Sequence, residues 1–465
     1  MRRPRVLVVG SGAREHVIAA TLARSEAPVY VAAPWVNPGL RALARDYLVI
    51  PLDRAPEISQ WARSRNVELA VLGPEAAIAA GGADALRKAG IPTVGPGQRA
   101  GQIETSKAFA RQLMERHEVP GLPRYRSATS ERELDEALDA MPQDFVVKPS
   151  GLTGGKGVWV GGVDFTTREE GRRYAKTLLD GGGTVVLEER LDGEEFSLMA
   201  FVDGTDVFPM PVVQDYKRAL EGNQGRNTGG MGSYSERGFL LPFLSQEDQE
   251  RAVEILTRTV RALREEGLEY RGILYGGFML TQEGPKVLEF NARFGDPEAL
   301  NVLTLFDGTD FADLLFQLAT GRIDPAHVEF RRRATVVKYL VPPGYGDRPR
   351  AGGVLRLDVR RIQDLAVSIY YGSVTPGTSP GEVVLGTSRG VALVGESSAI
   401  WEAEARVEEA LPFVTGEYYI RHDIAKASDI KARVDHIQRL KHAPPFDPMR
   451  NPTRSGPAPP PVFFA

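Results

Sequence analysis

A chain of 465 residues, 42% hydrophobic and 25% charged, is long enough for three or four soluble domains, because single cores rarely grow past about 250 residues. Its formal net charge of −4 lacks the electrostatic footprint of a nucleic-acid or membrane-surface binder and points instead to small-molecule partners. With no cysteine, disulfides and thiolate metal sites are excluded; with no apolar run of spanning length and no signal-peptide pattern in MRRPRVLVVGSG, the expected location is the cytoplasm.

The first hundred residues alternate strand and helix patterns. Strands are predicted at Arg5–Gly10, Val29–Ala33, Val67–Gly73 and Ile91–Val94, with helices at Ala13–Arg24, Ile58–Ser64 and Glu75–Ala89 between them. Such alternation predicts a doubly wound parallel α/β domain over residues 1–104, with ligands at the carboxyl ends of its strands. At the first of these ends stands Gly10-Ser11-Gly12-Ala13-Arg14-Glu15-His16. It is not a dinucleotide fingerprint: Glu15 fills the third glycine position, and no acid closes the second strand. Two glycines ahead of a helix still make an anion site, and Arg14 in the first turn opposes the helix dipole unless an anion lies there or the side chain bends away to solvent.

From Thr105 the pattern changes to a helix, Ser106–Glu115, and a small α/β unit over 124–189. Ser130 with Glu133 and Thr167 with Glu170 have capping-box spacing and predict helices at 131–140 and 168–179, flanked by strands Phe145–Lys148, Val158–Gly161 and Thr184–Glu189. The next region, 190–325, joins strands at Phe196–Val202, Phe208–Gln214, Gly272–Leu280 and Lys286–Phe290 to a long helix, Gln246–Glu265. Glu221 to Gly232 is polar and glycine-rich and is predicted to be a functional loop. Residues 326–442 form a β-rich domain with strands near Ala334–Leu340, Val354–Val359, Val383–Leu385 and Gly390–Gly395, then helices Ile400–Leu411 and Ile424–Lys441. The proline-rich residues 443–465 are a poor recipe for a core.

Two stretches carry the chemistry. In VVKPSGLTGGKGV, Lys148 leaves a strand and Lys156 sits among Gly151, Gly154, Gly155 and Gly157, where backbone N–H groups can face a phosphate; a plain hairpin turn is the alternative. It is not a Walker A loop, because Gly157 stands where the hydroxyl should follow the lysine. In KVLEFNARFGDPE, Glu289 and Asn291 are two apart and share one strand face, which suits Mg²⁺ completed by phosphate oxygens, although any half-exposed strand edge alternates in this way. No Ser/His/Asp-like set is present.

The order Lys107, Lys148, glycine-rich loop, Glu188/Glu195, Asp215, Glu289/Asn291 resembles the ATP-grasp architecture. The wording GSGAREH, VLGPE, SKAFAR, GLTGGKGV, VVLEERLDGEEFS, QDYKR, NTGGMGSYS and LEFNARFGDPE resembles its glycinamide ribonucleotide synthetase family, with Lys338 to Tyr345 more like archaeal-type members. Many bacterial members read DGLAAGKGV where this chain has SGLTGGKGV. The resemblance implies an ATP-grasp domain over 105–123 and 190–325 with residues 124–189 as its lid, and a reaction in which glycine and 5-phosphoribosylamine are joined with ATP through glycyl phosphate, in purine biosynthesis. Its residue roles would place Lys107, Lys148, Gly154, Gly155, Lys156 and Gly157 on the phosphates of ATP, and Glu188, Glu189, Leu191 and Glu195 on the adenosine. Glu289 and Asn291 would hold Mg²⁺ or Mn²⁺. Asp215, Asn227, Thr228, Gly229, Gly230, Met231, Gly232 and Arg293 would meet glycine and the acyl phosphate, with Arg293, Asp215 and Lys156 as catalytic groups. Gly10, Gly12, Arg14, Glu15, Pro74 and Glu75 would take the phosphorylated amine. A monomer or weak homodimer is expected. A different carboxylate–amine ligase of the same architecture, or a nucleotide-binding regulator, are the competing readings; the intact lysines and Glu289 speak against the regulator.

Overall fold

The computed structural model describes residues 3–154, 157–308 and 310–442. Lys156 and Gly155 of the glycine-rich loop, and the proline-rich residues 443–465, therefore lie outside the described residues. Val6–Val9 is the middle strand of a five-stranded sheet ordered Ala44–Val49, Val29–Ala33, Val6–Val9, Leu69–Leu72, Thr93–Val94, parallel throughout. Its four side chains are buried, as a parallel sheet covered by helices on both faces requires. Two details depart from the sequence expectation. The strand Ala44–Val49 and the short helix before it, Pro38–Leu43, were not foreseen, because ARDYLV is a charged edge strand without a clean apolar face. The run Glu75–Ala89 is two helices, Glu75–Ala79 and Gly82–Lys88, broken where Gly81 adopts φ +75°.

The small unit is a four-stranded antiparallel sheet ordered Tyr125–Ala128, Val185–Glu189, Phe145–Pro149, Trp159–Val160. Helices Glu131–Asp139 and Arg168–Asp180 lie against it, and Leu134, Phe145, Phe165, Ala175 and Leu187 form a core of its own. Thr167 and Glu170 make the predicted reciprocal cap. Ser130 accepts from the Glu133 N–H, whereas Glu133 reaches back one residue further, to the Thr129 N–H.

The larger sheet beside it is antiparallel, ordered Val207–Pro209, Glu194–Asp203, Arg271–Thr281, Gly284–Asn291. The long helix is Gln246–Glu265, as its apolar spacing predicts, with a cap at Ser245. Helices Glu298–Leu305 and Phe311–Thr320 follow; the first is buried along its whole length, so it shows no amphipathic period to read.

The third assembly crosses the expected boundary at residue 326. A five-stranded antiparallel sheet runs Gln214–Asp215, Gly232–Ser235, Ala334–Leu340, Val391–Ser397, Val367–Tyr371, so its first two strands come from the middle of the chain. The segment expected as a loop is partly folded: Gln224–Asn227 pairs with Arg218–Leu220 as a hairpin, held by backbone hydrogen bonds and by glycines at positive φ rather than by apolar burial. A four-stranded sheet, Val374–Pro376, Glu382–Leu385, Val354–Leu357, Val414–Thr415, completes this region. The last helix, Ala427–His442, begins three residues later than expected. Among the described residues no helix is long and apolar enough to cross a membrane.

Candidate active site

Helix Lys107–Arg116 starts under a cap in which Ser106 accepts from the Phe109 N–H, so that Lys107 enters at its N-terminus and Arg111 follows one turn later. Lys148 stands on the small unit's strand Phe145–Pro149, and its Nζ donates to Glu188 Oε2 at 2.7 Å and to the Leu288 carbonyl at 3.0 Å. Arg111 grips the same carboxylate from the other side, Nε to Oε1 at 2.7 Å and Nη2 to Oε2 at 3.1 Å, and also donates to the carbonyls of Val287 and Leu288. Burial pushes the Glu188 carboxyl up, but Arg111 and Lys148 outweigh it and hold the pKa at about 2. Both Glu188 oxygens are thus engaged by cations, and this carboxylate fixes Lys148 against the strand that carries Glu289. Lys107 Nζ donates to the Gly151 carbonyl at 3.2 Å at the foot of the glycine-rich loop, and burial lowers its pKa. Gly154 has φ +58°, the left-handed conformation the loop's composition implied.

Glu189 is tied to the start of the small unit by its carboxylate, which accepts from the Arg124 N–H at 2.8 Å. Leu191 and Glu194 then bridge to the large sheet, and Glu195 accepts from Lys217 Nζ at 2.7 Å.

Glu289 and Asn291 do share a face of the edge strand Gly284–Asn291, with Asn291 Nδ2 3.5 Å from Glu289 Oε1. They are not a solvated edge. Burial raises the Glu289 pKa, but Lys217, Lys107, Lys148 and Arg293 outweigh that and leave it lowered, so the carboxylate is charged among four cations. Arg293 Nη2 donates to Asn291 Oδ1 at 3.1 Å and pairs with Glu104 at 2.9 Å, and its Nε lies 3.5 Å from Glu75 with no hydrogen bond made. Among the described residues no group of three or more His, Cys, Asp or Glu side chains could cage a metal. One ionised carboxylate and one amide oxygen still fit Mg²⁺, which keeps waters and draws its other ligands from substrate phosphates.

Asp215 ends a two-residue strand, and its Oδ1 is buried without a hydrogen-bond partner among the described residues. Burial, then the nearby Glu298 carboxylate, raise its pKa well above the usual carboxylate range. Glu298 itself accepts from Ser197 at 3.1 Å and Tyr275 at 2.9 Å. Gly230 (φ +109°) passes directly over Asp215: a Cβ there would come within 2.5 Å of Oδ1. Thr228 is pinned by its hydroxyl to the Lys217 carbonyl, and Met231 contributes only backbone, its side chain being buried in the core.

The N-terminal crevice differs from a bare phosphate loop. Glu15 folds back into the corner made by Gly10, Gly12 and Gly73, accepting from the Gly12 N–H at 2.5 Å and from Arg14 Nε at 2.6 Å. A Cβ at Gly73 would meet Glu15 Oε1 at 2.1 Å, so these glycines make room for a carboxylate. Arg14 does not bend to solvent; it is buried, and its Nη1 donates to the Phe294 carbonyl at 3.2 Å. Burial pushes the Glu75 carboxyl up, but Arg293 and then Arg14 outweigh it and leave its pKa lowered; Glu75 follows Pro74 just past the strand Leu69–Leu72. Sequence reasoning missed Arg111, Glu104, Ser197, Tyr275 and Arg389. Arg111 had a signal, one turn after Lys107 on the same helix.

Lysines from a small antiparallel sheet and a helix N-terminus, facing a carboxylate and an amide on the edge of a larger antiparallel sheet, define an ATP-grasp ligase. Residues 4–104 match the family model for the N domain of phosphoribosylglycinamide synthetase, and residues 105–299 that for its ATP-grasp (A) domain. The chain is 46% identical over 440 residues to the phosphoribosylamine–glycine ligase of Methanocella arvoryzae, covering 94% of this chain and 100% of that protein. It is 44% identical over 443 residues to that of Methanothermobacter thermautotrophicus, covering 94% and 100%. Among solved structures, the phosphoribosylamine–glycine ligase of Thermotoga maritima superposes with a TM-score of 0.76 at 28% identity, covering 90% of this chain and 100% of that one. The chain belongs to the phosphoribosylglycinamide synthetase family.

Proposed function

We propose that this ligase joins glycine to 5-phosphoribosylamine through a glycyl phosphate intermediate, with the two substrates entering from opposite sides of Arg293. In the first step a glycine carboxylate oxygen attacks the γ-phosphorus of ATP and ADP leaves. In the second the amine nitrogen attacks the acyl carbon, phosphate departs with the oxygen that came from glycine, and the nitrogen loses its proton. Neither step needs a strong base, since the carboxylate is already a nucleophile; alignment and charge neutralisation supply the catalysis.

Lys107 and Lys148 hold the phosphates of ATP together with Gly154, Gly157 and the loop residues Gly155 and Lys156. Glu188 keeps Lys148 in place, and the Glu189–Leu191 backbone with Glu195 borders the adenosine. Glu289 and Asn291 hold the divalent ion, Mg²⁺ or Mn²⁺, which neutralises phosphate charge when bound. The observation that carries the amino-acid side of the reading is Asp215: a buried carboxyl oxygen without a partner, under a glycine loop, is the complement of a small ammonium group. Arg293, beside Glu75 and Glu104, donates to Asn291 and has an Nε without a hydrogen bond among the described residues; it is assigned to meet the acyl phosphate between the two substrates. Gly10, Gly12, Arg14, Glu15, Pro74 and Glu75 line the crevice for the phosphorylated amine.

The test is isotopic. With glycine labelled with ¹⁸O in its carboxylate, ATP, Mg²⁺ and freshly made phosphoribosylamine, one labelled oxygen is expected in each phosphate released. Unlabelled phosphate alongside normal product would refute the acyl phosphate.

A further inference from the structure

Arg389 belongs to none of the motifs that identify the family. It comes from the turn between the strands Glu382–Leu385 and Val391–Ser397, 160 residues from the loop it touches. Its Nη1 donates to the Gly229 carbonyl at 2.6 Å and to the Asp296 carbonyl at 2.5 Å, with the Gly230 carbonyl at 3.5 Å, while Nη2 donates to Asp296 Oδ2 at 3.1 Å. The guanidinium lies 5.0 Å over the ring of Tyr339, whose hydroxyl donates to the other Asp296 oxygen and whose N–H donates to the Met231 carbonyl. One planar fork therefore holds two segments that approach the same pocket. The first is the Gly229-Gly230 peptide over Asp215; the second is the turn that follows Arg293.

The fit is reciprocal. A Cβ at Gly229 would stand 3.0 Å from the guanidinium, so the first glycine of the pair clears Arg389 and the second clears Asp215. Tight carbonyl contacts leave little freedom for a substrate group on the Nη1 edge, which separates Arg389 from the groups expected to touch ligands. We propose that Arg389 is a positioning residue that sets the spacing between the loop over Asp215 and the Arg293–Asp296 turn, and so fixes the size of the amino-acid pocket without contributing to the nucleotide site. A lysine cannot replace it fully, because a single ammonium cannot reach both Gly229 and Asp296 with the same geometry. The inference rests on the assignment of the Asn227–Gly232 loop to glycine.

Steady-state kinetics of R389M, R389K and G229A test it, with thermal melts of each. R389M is expected to raise the glycine KM tenfold or more and lower kcat, with the ATP KM within twofold of wild type; R389K should recover part of the loss. G229A keeps every charge and pushes on the same contact, so it should shift the glycine KM in the same direction even where R389M folds poorly. A lowered melting temperature with unchanged glycine KM, or equal rises in the ATP and glycine KM values, would make Arg389 a structural tie and overturn the inference. Failure of the underlying assignment looks different: the glycine KM would then be insensitive to D215N as well.

Discussion

Replacing Asp215 by asparagine removes the carboxyl's ability to ionise against a bound ammonium and almost no volume, which makes it the sharpest probe of the proposed amino-acid pocket. Its Oδ1 has no hydrogen-bond partner among the described residues, so the substitution breaks no hydrogen bond seen there. A charge-assisted hydrogen bond to an ammonium contributes about 1.5–3 kcal/mol. At about 1.4 kcal/mol per decade, that is roughly a ten- to hundredfold rise in the glycine KM. Stability should move the other way. The folded-state pKa is raised, so above the unfolded value of 3.8 the folded protein retains a proton that the unfolded chain has released, and this residue costs stability increasingly as pH rises. The D215N protein should therefore melt at or above the wild-type temperature at pH 7–8, with the difference vanishing near pH 4. Steady-state assays with each substrate varied in turn, and melts over that pH range, give both numbers. An unchanged glycine KM, or a loss of ATP affinity of the same size, would refute the placement of the ammonium at Asp215.

Substituting Glu188 with glutamine leaves Arg111 and Lys148 as buried cations without their shared carboxylate; a loss of about 3–5 kcal/mol in urea unfolding is expected, with a raised ATP KM. His436 on the last helix has its pKa raised to about 9 by Asp192 and Glu194, so its contribution is complete below pH 6.5 and lost as pH rises through about 9. Melts from pH 6 to 10 should show that decline in wild type and a flatter profile in H436Q. Glu289→Gln should abolish ligation at ordinary Mg²⁺ concentrations and recover partly as Mg²⁺ is raised, while glycine binding by calorimetry stays near normal.

Much of the site was legible because its parts sit on regular elements whose local chemistry is visible. Lys148 leaves an apolar strand, Lys107 opens a capped helix, and Glu289 and Asn291 obey the two-residue period of a strand. What stayed hidden depends on distant partners. Gly10 and Gly73 end two predicted strands, yet what forbids a side chain there is Glu15, joined at Gly10 by Pro74. Glu188 is expected on the adenosine, and only the approach of Arg111 from the helix Lys107–Arg116 and of Lys148 from the neighbouring strand shows that both its oxygens are engaged within the protein. Arg389 bonds chiefly to backbone carbonyls, which leave no mark on the identity of the residues that supply them. The fold follows the same division: the first sheet was visible except for its charged edge strand. The sheet that backs Asp215 was not, because its neighbouring strands are separated by about a hundred residues of chain.

That separation orders events during synthesis. Ser235 finds its partner Thr335, and Gly232 its partner Lys338, only once the segment 334–340 has been made. At translation rates of about 5–20 residues per second, the wait is on the order of 5–20 s. By the end of that interval the growing chain has already delivered Lys107, Lys148, Glu188 and Glu289, two lysines and two carboxylates of the proposed nucleotide and metal side, while the strand behind Asp215 has no neighbour on its far edge and Arg389 does not yet exist. In the order of synthesis, the groups proposed for the nucleotide are thus complete before the sheet that backs the proposed amino-acid pocket.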